Sequence, residues 1–136
     1  MANALYSLAR QSFISQSPSI DMDTDDIKVS LVRSSAYTPN LTTDQFLSSV
    51  PTRVADSGNL SAKTVTLGVF DAADVTFTAV AAGLAAQYIV IWKDTGVAAT
   101  SPLIALIDTG TGLPVTPNGG DITIVWDGGA NKIFRI

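Results

Sequence analysis

Two apolar runs limit the possible folds of this chain most strongly. Gln87–Lys93 and Leu103–Ile107 are apolar on both faces, so neither has the polar face of a strand that borders solvent. We expect both to be central strands, covered on each side by a second sheet, a helix or a neighbouring chain. Apolar residues make up 46% of the chain and charged residues 15%, which supports a buried core and argues against disorder.

Further strands are predicted where apolar and polar residues alternate. This pattern runs from Ile27 to about Arg33 and recurs at 64–69, 75–79 and 122–126. The short link 70–74 predicts a hairpin between the second and third of these strands. Asp127-Gly128-Gly129 predicts a turn, after which Lys132–Ile136 returns antiparallel to 122–126. The chain is therefore predicted to be mainly β, a single-domain antiparallel β-sandwich or partly open barrel of about seven strands.

Two short helices are expected beside the strands. Residues 2–15 place apolar and small side chains at helical offsets of 3 and 4, and Pro18 discourages continuation. These side chains are Leu5, Leu8, Ala9, Ser12 and Phe13. Thr42 and Gln45 have the spacing of a capping box, with Leu41 and Phe46 as a hydrophobic staple, so a two-turn helix is predicted before Pro51. We divide the chain into a helical N-terminal arm, 1–20, and a β-rich domain, 21–136, within one folding unit.

The residue types that are missing exclude several kinds of chemistry. The chain has no His and no Cys, which excludes Ser-His-Asp and Cys-His catalysis, zinc sites built on His or Cys, and disulfides. We expect no enzymatic activity and no cofactor.

The net charge is -4 and the basic residues are scattered, so no nucleic-acid partner is predicted. No stretch approaches the roughly 18 apolar residues of a membrane span, and no secretory signal is recognisable, so no membrane partner is expected either.

Two acidic motifs are similar to known catalytic or metal-binding sequences. Asp108-Thr109-Gly110 follows an apolar strand, as in the aspartic proteases, but Asp94-Thr95-Gly96 repeats the tripeptide and a strand-ending turn explains both. Residues 21–26 begin like an EF-hand calcium loop, yet Asp26 stands where glycine is needed and Val32 where glutamate is needed. A solvated acidic loop is the simpler interpretation, with weak Ca²⁺ or Mg²⁺ binding as the alternative.

The remaining candidates are aromatic and glycine residues. Gly119-Gly120 is followed by no Lys-Ser/Thr and no helix pattern, so it predicts a loop and no phosphate site. Trp92 and Trp126 lie in β patterns with apolar neighbours, which favours core or subunit-interface packing over a sugar-binding platform.

Several segments together resemble small structural proteins of tailed-bacteriophage virions. They are Met1-Ala2-Asn3-Ala4-Leu5-Tyr6, the strand 26–32, Lys93-Asp94-Thr95-Gly96, and the closing stretches 112–122 and 130–132. Within that class the chain is most similar to capsid decoration (cement) proteins, which sit on the outer surface of the head and brace the major capsid protein. The resemblance carries no catalytic residue to this chain. Its alternatives are a tail, baseplate or fibre-associated virion protein and, from another class, a carbohydrate-binding module.

The resemblance implies partners and a location. The partners would be the phage major capsid protein and copies of this chain, as a dimer or trimer, and the location would be the virion surface after synthesis in the host cytoplasm. The expected capsid or subunit contacts lie in the N-terminal segment and the acidic loop that follows it. These contact residues are Leu5, Leu8, Phe13, Asp21, Asp23 and Asp25.

Overall fold

Antiparallel strands form most of the regular structure. A computed structural model describes residues 3–110 and 112–136, and in them the chain has one α-helix, α1 (Ser7–Ser15), and two 3₁₀ turns, Leu47–Ser49 and Ala98–Thr100. The strands are β1 (Ala4–Leu5), β2 (Ile27–Val32), β3 (Ala55–Asp56), β4 (Thr64–Thr66), β5 (Val69–Asp71), β6 (Val75–Phe77), β7 (Tyr88–Lys93), β8 (Leu103–Ile107), β9 (Ile122–Ile124) and β10 (Phe134–Arg135).

The largest sheet is built around the two apolar runs. Its strand order is β1-β8-β7-β2-β3, and every pairing is antiparallel. The strands β7 and β8 lie inside the sheet, which confirms their prediction as central strands. The strand β2 pairs with β7 along its whole length, from Ile27 opposite Lys93 to Val32 opposite Tyr88. Side chains on both faces of its three inner strands are buried, and helix α1 packs against β8.

Two smaller sheets complete the fold. The strands β10, β5 and β4 form one of them in that order, and β6 pairs with β9 to form the other. The chain is thus mainly β and antiparallel, as predicted, and is consistent with a β-sandwich, and the described strands close no barrel. Ten strands replace the predicted seven or so, because several are only two or three residues long and too short to give an alternating pattern.

Two predicted hairpins do not form. The strand β6 pairs with β9 and not with β5, and β10 pairs with β5 and not with β9. The predicted strand 64–69 is itself divided, since Leu67 and Gly68 both have positive φ, 51° and 79°, and turn the chain back on itself. Positive φ at both central residues defines a type I′ turn, whose twist matches a two-residue hairpin. The hairpin therefore lies within the predicted strand, and β6 is left to pair elsewhere.

The helix predicted from Thr42 to Pro51 is replaced by irregular backbone and the single 3₁₀ turn Leu47–Ser49. Asn40 holds a turn at the start of this segment, because its Oδ1 accepts hydrogen bonds from the N–H groups of Thr42 and Thr43. Phe46 is then extended and forms a bridge with Pro102. The carbonyl of Gln45 accepts from Leu103, and the N–H of Leu47 donates to Ser101. These bonds to the start of β8 use groups that a helix would need, so tertiary pairing overrides the capping pattern.

The N-terminal segment begins as a strand and not as a helix. Ala4 and Leu5 pair with Leu106 and Ala105, which makes β1 an edge of the large sheet. Tyr6 is fully buried, its N–H donates to the carbonyl of Ile104, and α1 begins at the next residue. On α1, Ala9 and Ser12 face the core and Phe13 packs against it, so the predicted helical face exists from Ser7 onward.

Candidate functional site

An open groove lies between the end of α1 and the three-stranded sheet. Its volume is about 500 Å³, and one wall consists of Phe13 on α1 together with Ile20 and Met22 from the following loop. The opposite side belongs to β4, β5 and β10, and Asp21 and Asp23 lie at the rim. We call this feature the helix–sheet groove. It joins the N-terminal segment and acidic loop to strands that lie far away in the sequence.

The floor of the groove is a row of three cross-strand neighbours. Phe70 on β5 lies opposite Val65 on β4 and opposite Phe134 on β10, so the three side chains point to the same face of the sheet. The rings of Phe70 and Phe134 are 5.5 Å apart at their centroids and tilted by 33°. Phe70 is buried, whereas Phe134 is half-buried and Val65 exposed. The row therefore passes from the core into the groove.

The acidic rim is held by its own backbone. The Oδ1 atom of Asp21 accepts hydrogen bonds from the N–H groups of Asp23, at 3.0 Å, and Thr24, at 3.3 Å. These bonds, led by the one from Asp23, hold the pKa of the Asp21 carboxyl below its usual value. Both rim residues are exposed. The rim therefore presents negative charge to whatever enters the groove.

Asp25 belongs to the same loop but does not line the groove. Its Oδ2 accepts from the N–H of Asp21 at 2.8 Å and pairs with Lys93 Nζ at 2.8 Å. The nearby Asp26 carboxylate accepts from the side-chain amide of Asn59. In the part of the chain that the structure describes, no three acidic side chains are placed to hold a metal ion. The acidic residues instead fix the shape of the loop.

The tip of the β4–β5 hairpin carries the most exposed large apolar side chain among the described residues. Leu67 is 91% exposed, although it occupies the first central position of the type I′ turn. At the second position, a Cβ added to Gly68 would lie 2.9 Å from the carbonyl oxygen of Ile136, whose N–H donates to Gly68. Glycine is thus required at position 68, but nothing in the fold requires leucine at position 67.

Apolar exposure is concentrated around this groove. Val65 and Ile136 line it and are exposed, Ile14 (88% exposed) follows the lining residue Phe13, and Leu67 precedes the lining residue Gly68. Of the seven large apolar side chains that are exposed in the described residues, these are four. The other three, Leu84, Val97 and Val125, lie outside the groove. A clustered apolar surface of this kind is typical of a protein-interaction site.

The groove brings together three of the six residues expected to make contacts. Phe13, Asp21 and Asp23 line it. Leu5 lies in β1 and packs against the core, Leu8 is half-buried on α1, and Asp25 is paired with Lys93. Val65, Leu67 and Phe134 were not predicted as contact residues. Gly68 directly after Leu67 was the available signal for a turn, whereas the pairing of β10 with β5 left no local trace in the sequence.

The two Asp-Thr-Gly motifs are built differently. Asp94 Oδ1 accepts from the N–H of Gly96 at 2.8 Å, and Gly96 has a φ of 87°, so the turn interpretation is confirmed there. Asp94 also pairs with Lys28 at 2.5 Å, and this bond is the main cause of its lowered pKa. At the second motif, the N–H groups of Asp108 and Thr109 donate to the Asn3 side chain at 2.9 and 3.0 Å, which ties the end of β8 to the start of β1.

Both tryptophans are packed inside the protein. Trp92 is 4% exposed and donates from Nε1 to Ser30, and Trp126 is 9% exposed and donates from Nε1 to the carbonyl of Ala73. Lys28 and Arg53 lie over the Trp92 ring at 5.8 and 6.0 Å from its centroid. These contacts agree with the predicted core packing, and neither ring forms a surface platform for a sugar. Trp126 also lines the cavity beside β9.

A second and larger cavity, about 940 Å³, lies between the end of β8, β9 and the loop around Leu113. Its walls are largely apolar, and two of its carboxylates already serve the backbone. Asp121 accepts from the N–H of Ala79 at 2.8 Å, and Asp127 accepts from the N–H of Gly129 at 3.0 Å. Both carboxylates of this cavity therefore hold the local backbone.

Comparison with known proteins adds no relative to this description. No protein-family model matches the chain, and no curated protein matches it. Within residues 3–110 and 112–136, no helix combines the length and the apolar character needed to cross a membrane.

Proposed function

We infer that this chain is a non-enzymatic structural protein of a tailed-phage virion, which binds the outer surface of the major capsid lattice and stabilises the head. The resemblance of its sequence to decoration proteins supports the role. The helix–sheet groove supports attachment through the N-terminal segment and the β4–β5 hairpin, because three of the residues expected to make contacts line it. No chemical step is involved, and the activity is binding alone.

Leu67 is the single observation that carries the proposal. Left-handed backbone costs a non-glycine residue about 1 kcal/mol, and asparagine is much better suited to this position of a type I′ turn. Leu67 has this left-handed backbone, and its apolar side chain is also almost completely exposed to water. The turn accounts for the positive φ, but nothing in the fold accounts for an exposed leucine at this position. A partner surface that buries the side chain would account for it.

The chemistry of the groove defines the surface that it fits. An apolar floor of Val65, Phe70 and Phe134 with Asp21 and Asp23 at the rim matches a segment whose apolar side chains are flanked by Lys or Arg. A protein that binds only the assembled lattice stabilises it by its own binding free energy. Many copies on one head add these contributions, so modest affinity at each site suffices for a cement role.

The alternatives differ in what they predict. A tail, baseplate or fibre-associated protein would occupy few sites on each particle, whereas a decoration protein occupies a number set by the lattice. A carbohydrate-binding module would need aromatic rings at the surface. The burial of Trp92 and Trp126 weighs against that module.

The role of Leu67 is tested by Leu67→Asn in a binding assay with heads stripped of this protein. We expect about tenfold weaker binding, since losing a buried anchor at an interface costs at least 1–2 kcal/mol. The melting temperature should stay the same or rise, because asparagine tolerates the positive φ of this turn better than leucine does. Leu84→Asn is the matched control, since Leu84 is 69% exposed but lies outside the groove, and it should bind as the wild type does.

Two results would contradict the proposal at different levels. If Leu67→Asn binds heads as tightly as the wild type, attachment does not use the tip of the β4–β5 hairpin. If the folded wild-type chain does not bind heads at all, the capsid role itself is wrong.

A further inference from the structure

The strand β4 is an open edge that carries no charge, proline or bulge. It is the outer strand in the order β10-β5-β4, and Thr64, Val65 and Thr66 are all exposed. Natural edge strands are protected by a charge, a proline or a bulge that prevents another strand from pairing, or by being very short. Of these features β4 has only its short length of three residues. β4 contains neither a charged residue nor a proline, and it pairs with β5 in unbroken register.

The charged residue that precedes β4 in the sequence points away from this edge. Lys63 directly precedes β4, but its Nζ donates to the carbonyl of Asp25 and, at 3.1 Å, to Asn59 Oδ1. The ammonium group is therefore held at the acidic loop. The edge itself remains uncharged.

The hairpin geometry decides which backbone groups face outward. In a two-residue type I′ hairpin the residues that flank the turn, Thr66 and Val69, bond to each other. Pairs along an antiparallel ladder alternate between bonded and non-bonded, so Val65 and Phe70 form a non-bonded pair. The N–H and C=O groups of Val65 therefore point away from β5, towards the open edge.

We propose that β4 pairs antiparallel with β4 of a second copy of this chain, across a two-fold axis that places Val65 opposite Val65. Each Val65 then donates its N–H to the other and accepts at its C=O, so the two-fold axis satisfies both groups reciprocally. The two three-stranded sheets become one continuous sheet of six strands. The floors of the two helix–sheet grooves meet on the same face.

The side chains favour a second copy as the occupant. The register places Thr64 of each copy opposite Thr66 of the other, and paired threonines stabilise neighbouring strands. The chain already contains such a pair, since the Oγ1 atoms of Thr76 and Thr123 lie 3.1 Å apart between β6 and β9. Although the net charge of -4 opposes self-association, none of that charge lies on β4. The two β4 strands therefore place no like charges directly opposite each other.

The register is tested by sedimentation equilibrium of the purified chain with two double variants. Thr64→Lys with Thr66→Lys places lysine opposite lysine and should weaken the dimer at least tenfold, whereas Thr64→Asp with Thr66→Lys places aspartate opposite lysine and should preserve it. Thr43→Lys with Thr52→Lys is the control, because it adds the same charge at exposed threonines away from β4. This variant should dimerise as the wild type does.

Val65→Pro provides a second test that spares the hairpin. Proline removes the outward N–H of Val65 but none of the hydrogen bonds between β4 and β5, so a folded monomer is expected. Unfolding curves of all variants would confirm that they fold. A monomeric wild-type chain, or a double-lysine or Val65→Pro variant that dimerises as tightly as the wild type, would overturn the proposal. None of these measurements requires heads, so their outcome is separate from that of the capsid role.

Discussion

Ser30 shows how a single polar residue organises the large sheet. Its hydroxyl accepts from Trp92 Nε1 at 2.8 Å and donates to Asp56 Oδ1 at 2.5 Å. Arg53 binds both oxygens of the same Asp56 carboxylate, at 2.9 and 3.2 Å. Alternation in β2 predicts a half-buried strand with Lys28 and Ser30 on its polar face, yet Ser30 is fully buried. Sequence alone does not show that Trp92 covers that face.

Removing this hydroxyl should destabilise the fold. Ser30→Ala leaves the buried indole N–H without its acceptor and takes one donor from Asp56, so we expect a loss of about 1–3 kcal/mol in the free energy of unfolding. Urea denaturation measures this loss. Ser48→Ala removes an exposed hydroxyl and should change stability by no more than about 0.5 kcal/mol. Equal effects of the two substitutions would show that the Ser30 network is unimportant.

At the scale of elements, a buried chain of tyrosines joins the N-terminal strand and helix to the loop after β2. The hydroxyls of Tyr6 and Tyr37 are 2.9 Å apart, and Tyr37 donates to Asp44 Oδ2 at 2.6 Å. Burial, more than any other cause, raises the pKa of Tyr6 to about 12, and burial together with the bond to Asp44 also raises the pKa of Tyr37. Both hydroxyls therefore favour the neutral form in the folded protein.

This arrangement predicts alkaline unfolding. A tyrosine in the unfolded chain ionises near pH 10, below the pKa of about 12 that Tyr6 has in the folded chain. The contribution of Tyr6 to folding stability is therefore complete below about pH 10 and is lost between about pH 10 and 12. Urea midpoints measured across that range should fall for the wild type and fall less steeply for Tyr6→Phe. Tyr88→Phe leaves the Tyr6–Tyr37–Asp44 chain intact and should retain the wild-type slope. A midpoint independent of pH in this range would contradict the assignment.

Some strands of this fold can be predicted from the sequence and others cannot. β2, β7 and β8 were predicted well because each is long enough to show a pattern over five or six residues. The β4–β5 hairpin was missed because Leu67 continues the alternation of Val65 and Val69, although its backbone turns. The pairing of β6 with β9, and that of β10 with β5, join distant segments and leave no local signal. Half of the predicted contact residues met in one groove, but its floor depends on those distant pairings.

At the scale of the whole molecule, the fold separates a buried sheet from an open groove. β7 and β8 are buried on both faces, whereas two of the seven exposed large apolar side chains in the described residues line the helix–sheet groove and two more adjoin a lining residue in the sequence. One end of the molecule thus combines apolar surface, acidic charge and an open strand edge. The proposed capsid surface binds the groove and the proposed second copy pairs with β4, so the two interactions share this end.

The measurement that tests the central claim most directly is the number of chains bound to each stripped head at saturation, together with the temperature at which the loaded heads open. The capsid role predicts saturation at a number set by the symmetry of the lattice, and loaded heads that survive higher temperature than empty ones. A folded chain that binds at only a few sites on each particle, or binds without raising that temperature, would contradict it.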